Sequence, residues 1–531
     1  MATASRRRQI THSSAPFGNP DGAKGNLKDV QTSFIDLSGG AAAGDLVSRA
    51  DDRTVRVLVG KKGVGKTMYL RRFQASASSE ESVFAGGRET TPPATEDVMR
   101  VTQLYEAATT TESWSLIWRR AIQRSVATQL LCQPWLRQTL DEEVEQHLRS
   151  DHPKLVPACR TPRPIYAEVS DIVRSEQTAY KLDDYLRHPG WAEVEHWLGR
   201  AMHDAPPIYL YIDGLDDHFQ RAPMYWLKCQ KGLFYEVMSM LDDEMGSRLH
   251  VVVCIRDIVL SSVLRGEHAG RYRQSPHIRK LEWDFKTVRY FLHEKVRRLD
   301  EAFVLDPATE GTAGWLGRES IHNRARGVDE CVEDYLLRHT RLIPRDVVVL
   351  GNALCQEVAK IKAAGGSELP EDVLRRVVSA EANGFADEQL RVCANQIAAD
   401  QVPEHGARNG SAEYFIGGHE YSDGSSNIVL TLLEEVGTDR FDHAALMRLA
   451  ERGREGLGGY EHLLDALWQN GLLGYDSTEH GASHTHFYAS SEADYFHLPL
   501  DKRTYALHPC LPHRARIAHE GKPIVPYRKE G

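Results

Sequence analysis

Val57-Leu58-Val59-Gly60-Lys61-Lys62-Gly63-Val64-Gly65-Lys66-Thr67-Met68 decides how the rest of the chain is read. Residues Arg53 to Gly60 form a short run rich in β-formers that ends in glycine, and a helical pattern follows from Lys66 to Gln74. Between them, Gly60 to Thr67 fits G-x-x-x-x-G-K-[ST] at every required position, in the strand–loop–helix context that gives the pattern meaning. Glycines let the backbone curl until successive N–H groups point inward, where they can hold phosphate oxygens. The helix start adds its positive dipole end. Lys66 supplies a point charge for β- and γ-phosphates, and the Thr67 hydroxyl can ligate Mg²⁺. The expected phosphate-binding set is therefore Gly60, Lys61, Lys62, Gly63, Val64, Gly65, Lys66, Thr67 and Met68.

Such a loop needs an acidic partner on a neighbouring strand. Ile208-Tyr209-Leu210-Tyr211-Ile212 is a continuous apolar run, and Asp213 follows where it emerges. Asp213 is suited to hold Mg²⁺, and Asp216 or Asp217 to orient or deprotonate an attacking water. A third apolar run, Leu249 to Ile255, ends at Arg256, a cation placed to sense a terminal phosphate; the alternative is a surface arginine paired with Asp257. Strands that are apolar throughout belong to a sheet covered on both faces, as parallel sheets are.

Composition sets the outer limits. The chain has 531 residues, 41% hydrophobic and 26% charged, which suits several globular cores and excludes collagen-like or wholly disordered chains. Lys and Arg number 65 against 75 Asp and Glu, a net charge of −10, so a highly basic nucleic-acid coat protein is excluded. No apolar stretch approaches the roughly 20 residues that span a bilayer. The basic start at Arg6, Arg7 and Arg8 is followed by no apolar segment, so no secretory signal is expected. Eight scattered cysteines without a C-x-x-C pair argue against a disulfide framework or structural zinc, and for a cytoplasmic protein with no membrane attachment.

The expected fold class is α/β, with a parallel sheet carrying a helical insertion, then an α-helical unit and a C-terminal unit. A flexible arm covers 1–45, the loop-bearing domain 46–284 and its insertion about 76–200; Ala75 to Thr95 reads as loop. Trp114, Ile117, Trp118, Ala121, Ile122 and Val126 mark a helix of the insertion. Helical patterns fill 285–399, and a glycine-rich linker covers 400–426. Residues 427–531 begin with three helices, Ile428–Val436, Asp442–Arg452 and Tyr460–Asn470. A hairpin follows, with strands at His486–Ala489 and Tyr495–Leu498.

These motifs together resemble the STAND class of P-loop NTPases, within the wider AAA+ group. Asp213-Gly214-Leu215-Asp216-Asp217 is similar to the D-G-L-D-E of its NACHT-type members. The resemblance implies ATP or ADP with Mg²⁺ as cofactors, Thr67 and Asp213 as metal ligands, and a catalytic machinery of Lys66, Asp213, Asp216, Asp217 and Arg256. Asp217 would hold the acid position usually occupied by Glu, and Arg256 that of the strand-end sensor. Pro344-Arg345-Asp346 resembles a lid-domain motif whose arginine, here Arg345, leans over the nucleotide. The C-terminal unit resembles a winged helix, and His508 the histidine that contacts the ADP β-phosphate in the closed state. Phe17-Gly18-Asn19 would clasp the adenine.

By the same resemblance the chain is a slow, regulatory ATPase, a switch whose opening and self-association are set by nucleotide, in antiphage defence or signalling. It would act with separate effector or sensor proteins. Two alternatives stay open. One is a DNA-binding ATPase of the origin-recognition or transposition type, opposed by an acidic third helix (Glu461, His462, Asp465) and supported by a basic tail (Arg514, Arg516, Lys522, Arg528, Lys529). The other is a non-hydrolysing scaffold, supported by Asp217 in place of Glu. His480, His484 and His486 lack a completing carboxylate or cysteine and are read as ordinary polar residues, and Arg271 and Arg273 as a solvated basic loop.

Overall fold

The structure is a computed structural model of the 531-residue chain. It describes residues 15–22, 34–35, 54–215 apart from 106, 157, 159 and 177, 222–401 apart from 267–268 and 325–326, 418–479, 482–487, 497–515 and 517.

Five parallel strands make the central sheet: β1 (Val57–Val59), β2 (Phe84–Glu89), β3 (Ile208–Ile212), β4 (Leu249–Ile255) and β5 (Ile278–Lys280), in the order β2-β3-β4-β1-β5. Val57 lies opposite Val253 on one side and Ile278 on the other, and Ile208 opposite Leu249. Every residue of β1, β3 and β4 is buried. Because side chains alternate along a strand, the two faces feed two cores. Val57, Val59, Ile208, Leu210, Ile212, Val251 and Val253 point into one. Leu58, Tyr209, Tyr211, Val252 and Cys254 point into the other. The α/β class with a parallel sheet is thus as expected.

Edge strand β2 lies inside the stretch read as loop, and α1 (Lys66–Ser78) runs on to Ser78. Gly86 and Gly87 hid the strand. The register against β3 shifts between Ala85 and Arg88, so one extra residue bulges there. A Cβ on Gly86 would come within 3.0 Å of the Leu210 side chain. Bulges of this kind re-aim the residues that follow, here Arg88 and Glu89.

The insertion between β2 and β3 is helical from Thr95 onward. It comprises α2 (Thr95–Leu104), α3 (Ala107–Cys132), α4 (Pro134–Arg137), α5 (Glu142–Ser150), α6 (Ile165–Ser175), α7 (Ala179–Leu186) and α8 (Gly190–Asp204). The six residues that marked α3 by their spacing are all fully buried. They face the sheet together with α9 (Pro223–Ser239), and the Trp118 indole donates to the Cys229 carbonyl at 3.0 Å. Short helices α10 (Asp257–Leu264) and α11 (Ala269–Tyr272) follow β4.

The other face carries α1 and the helices α12 (Phe285–Arg297), α13 (Gly311–Leu316), α14 (Val332–Arg338), α15 (Pro344–Ala363) and α16 (Glu371–Gln401). A hairpin, β6 (Ser320–Asn323) with β7 (Val328–Cys331), interrupts what the sequence suggested was helical throughout. Phe17, assigned to the flexible arm, is 1% exposed: it packs on Trp315 at 4.9 Å between ring centroids and against Gly351.

The last unit holds α17 (Gly418–Val436), α18 (His443–Gly456), α19 (Leu463–Gln469) and α20 (Leu511–Arg514). Its antiparallel sheet orders β10 (Ala482–Phe487), β9 (Leu473–Glu479), β11 (Thr504–Leu507) and β8 (Arg440–Asp442). The hairpin therefore begins earlier than expected, with Leu473–Glu479 as its first strand, and Thr504–Leu507 pairs on the far side. Part of the 400–426 linker is helix, since α16 reaches Gln401 and α17 starts at Gly418; residues 402–417 lie outside those described. The C-terminal end of α16 shares the core of this unit through Leu390, Cys393 and Ile397. Among the described residues, no helix is long and apolar enough to cross a membrane.

Candidate functional site

The loop closes β1 and opens α1. Gly63 and Gly65 have φ of 90° and 98°, the left-handed region that other residues rarely adopt, and Gly65 is the N-cap of α1. The Lys66 ammonium is drawn in to the Gly60 carbonyl at 2.9 Å and that of Lys61 at 3.2 Å. Trp283 donates from its indole to the Val64 carbonyl at 3.0 Å. Gly60 is squeezed between Val64 and Leu281, where a Cβ would lie 2.6 Å from the Val64 side chain. Thr67 and Met68 lie in the first turn of the helix, and a Cβ on Gly22 would lie 2.9 Å from the Met68 side chain. The Arg71 guanidinium donates to the Gly22 carbonyl at 2.7 Å. The segment 15–22 therefore reaches the loop's own helix, but Phe17 sits in the helical core, not at a ligand face, and the Asn19 side chain accepts from the Asp21 N–H.

Asp213 stands at the tip of β3. Its N–H donates to the Glu89 carbonyl at 3.0 Å, and its carbonyl accepts from the Tyr166 hydroxyl at 2.6 Å. The bulge in β2 brings the Arg88 guanidinium to the Asp213 carboxylate at 2.9 Å. Beside Arg88, the Glu89 carboxylate accepts the first N–H groups of α6 from Ile165 at 2.7 Å and Tyr166 at 2.8 Å. Burial nevertheless raises its pKa to about 7. Arg256 is 3% exposed and caps α10 at the tip of β4. Lys61, Lys62, Arg256, Asp257, Gln389 and Asn470 are among the residues lining one small cavity, so the Arg256 strand tip, the loop and both later units meet there. Asp216 and Asp217 lie outside the described residues.

The helical unit packs directly on the loop. Pro344 takes the first position of α15, where its missing N–H costs nothing, and the Arg345 N–H donates to the Gly63 carbonyl at 3.3 Å. A side chain on Gly63 would strike Ile343 at 2.8 Å and Arg345 at 3.0 Å. Just upstream, Leu342 has φ of 55° and is the single non-glycine residue in that region among those described. Such a residue costs on the order of 1–3 kcal/mol and persists only where its surroundings hold it. Here the Leu342 N–H donates to the Thr340 hydroxyl at 3.2 Å, and the flanking Arg341 is pinned. Its guanidinium pairs with both Asp346 oxygens at 2.9 and 2.7 Å, with Glu388 at 2.7 Å and with the Gln389 amide oxygen at 3.1 Å. Burial disfavours the Arg341 charge, but Asp346 and Glu388 outweigh it and push the pKa up. Glu388 also receives Lys62 and Arg345, each at 3.2 Å. Burial opposes its charge too, yet Arg341, Arg345 and Lys62 together hold it at about 2.

The C-terminal unit closes the arrangement. Gln389 donates to the Asn470 carbonyl at 2.7 Å, and Gln396 to Gln469 at 2.5 Å. A Cβ on Gly471 would lie 3.7 Å from the Lys61 ammonium. Burial lowers the Lys61 pKa; Asp257 works against that shift and Arg341 with it. His508 is buried behind the same cations. Burial, then Arg341 and Lys61, press its pKa down to about 3. The ring is thus neutral at pH 7, with Nδ1 accepting from the Cys510 N–H at 3.2 Å. Of the expected third helix, α19 turns Leu463, Ala466, Leu467 and Trp468 into the core, while Asp465 binds His497 and the Leu498 N–H. In the basic tail, Arg514 pairs with Asp387 at 2.6 Å.

The predicted residues Gly60 to Met68, Arg256, Arg345 and His508 thus gather around the loop, and Asp213 lies along the same edge of the sheet. Sequence reasoning passed over Arg88, Arg341 and Glu388. Arg341 lies three residues before the Pro344-Arg345-Asp346 motif; nothing in the sequence marked the other two. Among the described residues no group of three potential metal ligands occurs, and the His486 ring bonds the Ser477 hydroxyl. Arg271 pairs with Asp242 at an exposed site.

The five-stranded parallel sheet with this loop at its edge is compatible with a P-loop NTPase fold. No protein-family model, curated protein or solved structure matches the chain.

Proposed function

We propose that the chain is an ATP-binding switch of the STAND-like kind, slow in hydrolysis, in which nucleotide governs how the loop-bearing domain, the helical lid and a winged-helix C-terminal unit sit together. The observation that carries this is the convergence of all three on one loop. Arg345 and Ile343 touch Gly63, Glu388 holds Lys62, and Gly471 borders Lys61. A ligand held by that loop touches the joint between units, so binding and opening share one free energy.

The residues fit a magnesium–nucleoside triphosphate. Left-handed turns at Gly63 and Gly65 are the kind by which such a loop can aim backbone N–H groups at phosphate, Lys66 brings a compact positive charge, and Thr67 and Asp213 offer hard oxygen donors. When bound, Mg²⁺ neutralises charge on the phosphates and orients them. The chain's own parts then have separable tasks. Lys66 neutralises phosphate charge, Arg256 at the β4 tip supplies a second buried cation, and Arg88 shares Asp213 with any incoming metal. Arg345 and His508 are the lid and C-terminal groups nearest in role to nucleotide sensors.

The core-facing side of α19 and its ties to α16 favour a packing role for the C-terminal unit over reading duplex DNA. Turnover by the purified protein, with and without duplex DNA and with Lys66→Ala as control, tests the proposal. Slow turnover that ignores DNA and vanishes in Lys66→Ala is expected. Turnover raised severalfold by DNA would favour a DNA-transaction ATPase, and no turnover despite tight ATP binding a non-hydrolysing scaffold.

A further inference from the structure

We propose that Glu388 is a built-in stand-in for phosphate: its carboxylate occupies Lys62 of the loop and Arg345 of the lid, and a nucleotide's phosphate displaces it, releasing α16. This rests on the loop's being a nucleotide site. Three observations lead to it.

The first is convergence. Lys62 belongs to the phosphate-type loop and Arg345 to the start of α15, yet both side chains end 3.2 Å from the same Glu388 oxygen. Two cations sharing one carboxylate oxygen make an anion site already filled from within.

The second is an asymmetry among the three cations. Arg341 is anchored by both oxygens of Asp346, which is fully buried, so it keeps its charge partner if Glu388 leaves. Lys62 and Arg345 differ: among the described residues Glu388 is the only carboxylate that pairs with either. These two side chains are also about a third exposed, at 36% and 34%, so an incoming anion can reach them while Arg341, at 9%, stays covered. Glu388 is thus held by one permanent cation and two exchangeable ones. A phosphate, with more charge and more acceptor oxygens than a carboxylate, is the stronger partner for the exchangeable pair.

The third is what moves with Glu388. The next residue, Gln389, bonds the Asn470 carbonyl, and two turns on Gln396 bonds Gln469 and Asn470. α16 is a continuous 31-residue helix, so a shift of Glu388 is carried to the joint with α19. A purely structural ion pair would leave affinity for nucleotide alone; a stand-in taxes it.

The test uses the full-length protein. A carbodiimide joins an amine and a carboxylate only in direct contact, so it should couple Lys62 to Glu388, with the product mapped by mass spectrometry. We expect the cross-link without nucleotide and its loss at saturating Mg-ATP. By calorimetry, Glu388→Gln should bind ATP about tenfold tighter than the unaltered chain. Glu388→Asp, whose carboxylate is withdrawn by one methylene, should shift the same way and covers a Gln variant that fails to fold. Undiminished cross-linking at saturation, with affinity unchanged or weakened in the variants, overturns the proposal and leaves the nucleotide site standing. If the unaltered chain binds ATP no better than Lys66→Ala, the site itself is wrong and the stand-in falls with it.

Discussion

Inside the insertion, Arg124 lies 3% exposed against the fully buried Glu168 at 2.5 Å, with Arg163 on the same carboxylate at 2.9 Å. Nearby, Arg119 reaches Glu236, Glu195 and Asp243 from the middle of α3. At the sheet's edge, Lys62, Arg341, Arg345, Asp346 and Glu388 form a second, partly buried cluster of charges. The insertion cluster joins helices of one core. The second cluster joins the loop to two helices of the helical unit, and its Lys62 and Arg345 side chains are each about a third exposed. Buried charge alone therefore does not mark a site. What distinguishes the second cluster is charge shared between the loop and the helical unit packed on it, beside a backbone held in left-handed turns.

The two clusters should break differently. Arg124→Ala leaves Glu168 buried with one cation fewer, and should cost about 3–5 kcal/mol, seen as a lower heat-unfolding midpoint. ATP affinity of the folded molecules should not change. Arg341→Ala should cost as much, about 3–5 kcal/mol, because the fully buried Asp346 then has no cation, although Glu388 keeps Lys62 and Arg345. Unlike the first variant, it should raise amide exchange at Leu472 and Gly471, where the C-terminal unit meets the loop. Equal exchange in both variants would erase the distinction.

The pH response sharpens it further. His508 has a folded pKa near 3 against an ordinary 6.5, so its contribution is complete above pH 6.5 and is lost as pH falls toward 3. Glu89 and Glu236, pushed up to about 7 by burial, act the opposite way: their contribution is present below 4.5 and lost as pH rises through 7. Comparison with His508→Asn isolates the first effect. Between pH 6.5 and 5 the unaltered chain should lose up to about 1.4 kcal/mol per pH unit relative to the variant. Superimposable pH profiles would remove His508 from the cluster's energetics. The smallest effect is expected from Arg88→Gln, about 1 kcal/mol in stability, with Mn²⁺ taken up more tightly beside ATP in a spin-resonance titration because Asp213 no longer answers to Arg88.

The loop and strands β1, β3 and β4 were legible because each rests on local chemistry: glycines at fixed spacing, and apolar runs with no polar break. Strand β2 was not, since Gly86 and Gly87 read as loop until β3 is there to pair with them. Strand β5 is three residues long, with two of them Arg279 and Lys280, and carries no apolar signature. In the C-terminal unit the second and third helices were found within a few residues, but the first starts at Gly418 rather than Ile428; strands Leu473–Glu479 and Thr504–Leu507 were passed over as quieter sequence, and Tyr495, where another strand was expected to begin, lies outside the described residues. Arg88 and Glu388 matter through partners 125 and 326 residues away, Asp213 and Lys62, and no local pattern encodes such pairs. Phe17 shows the reverse error: a polar, proline-bearing stretch concealed one anchor that the helical core holds.

The central claim is that the loop at the β1 tip holds nucleotide and thereby sets how three units meet. Equilibrium binding of ATP with Mg²⁺ to the full chain, alongside Lys66→Ala and with amide exchange followed at Gly471 and Leu472, tests it most directly. Saturable binding that Lys66→Ala abolishes, with exchange at those amides changing as the site fills, is the predicted result. Binding indifferent to Lys66, or binding that leaves those amides untouched, would contradict it.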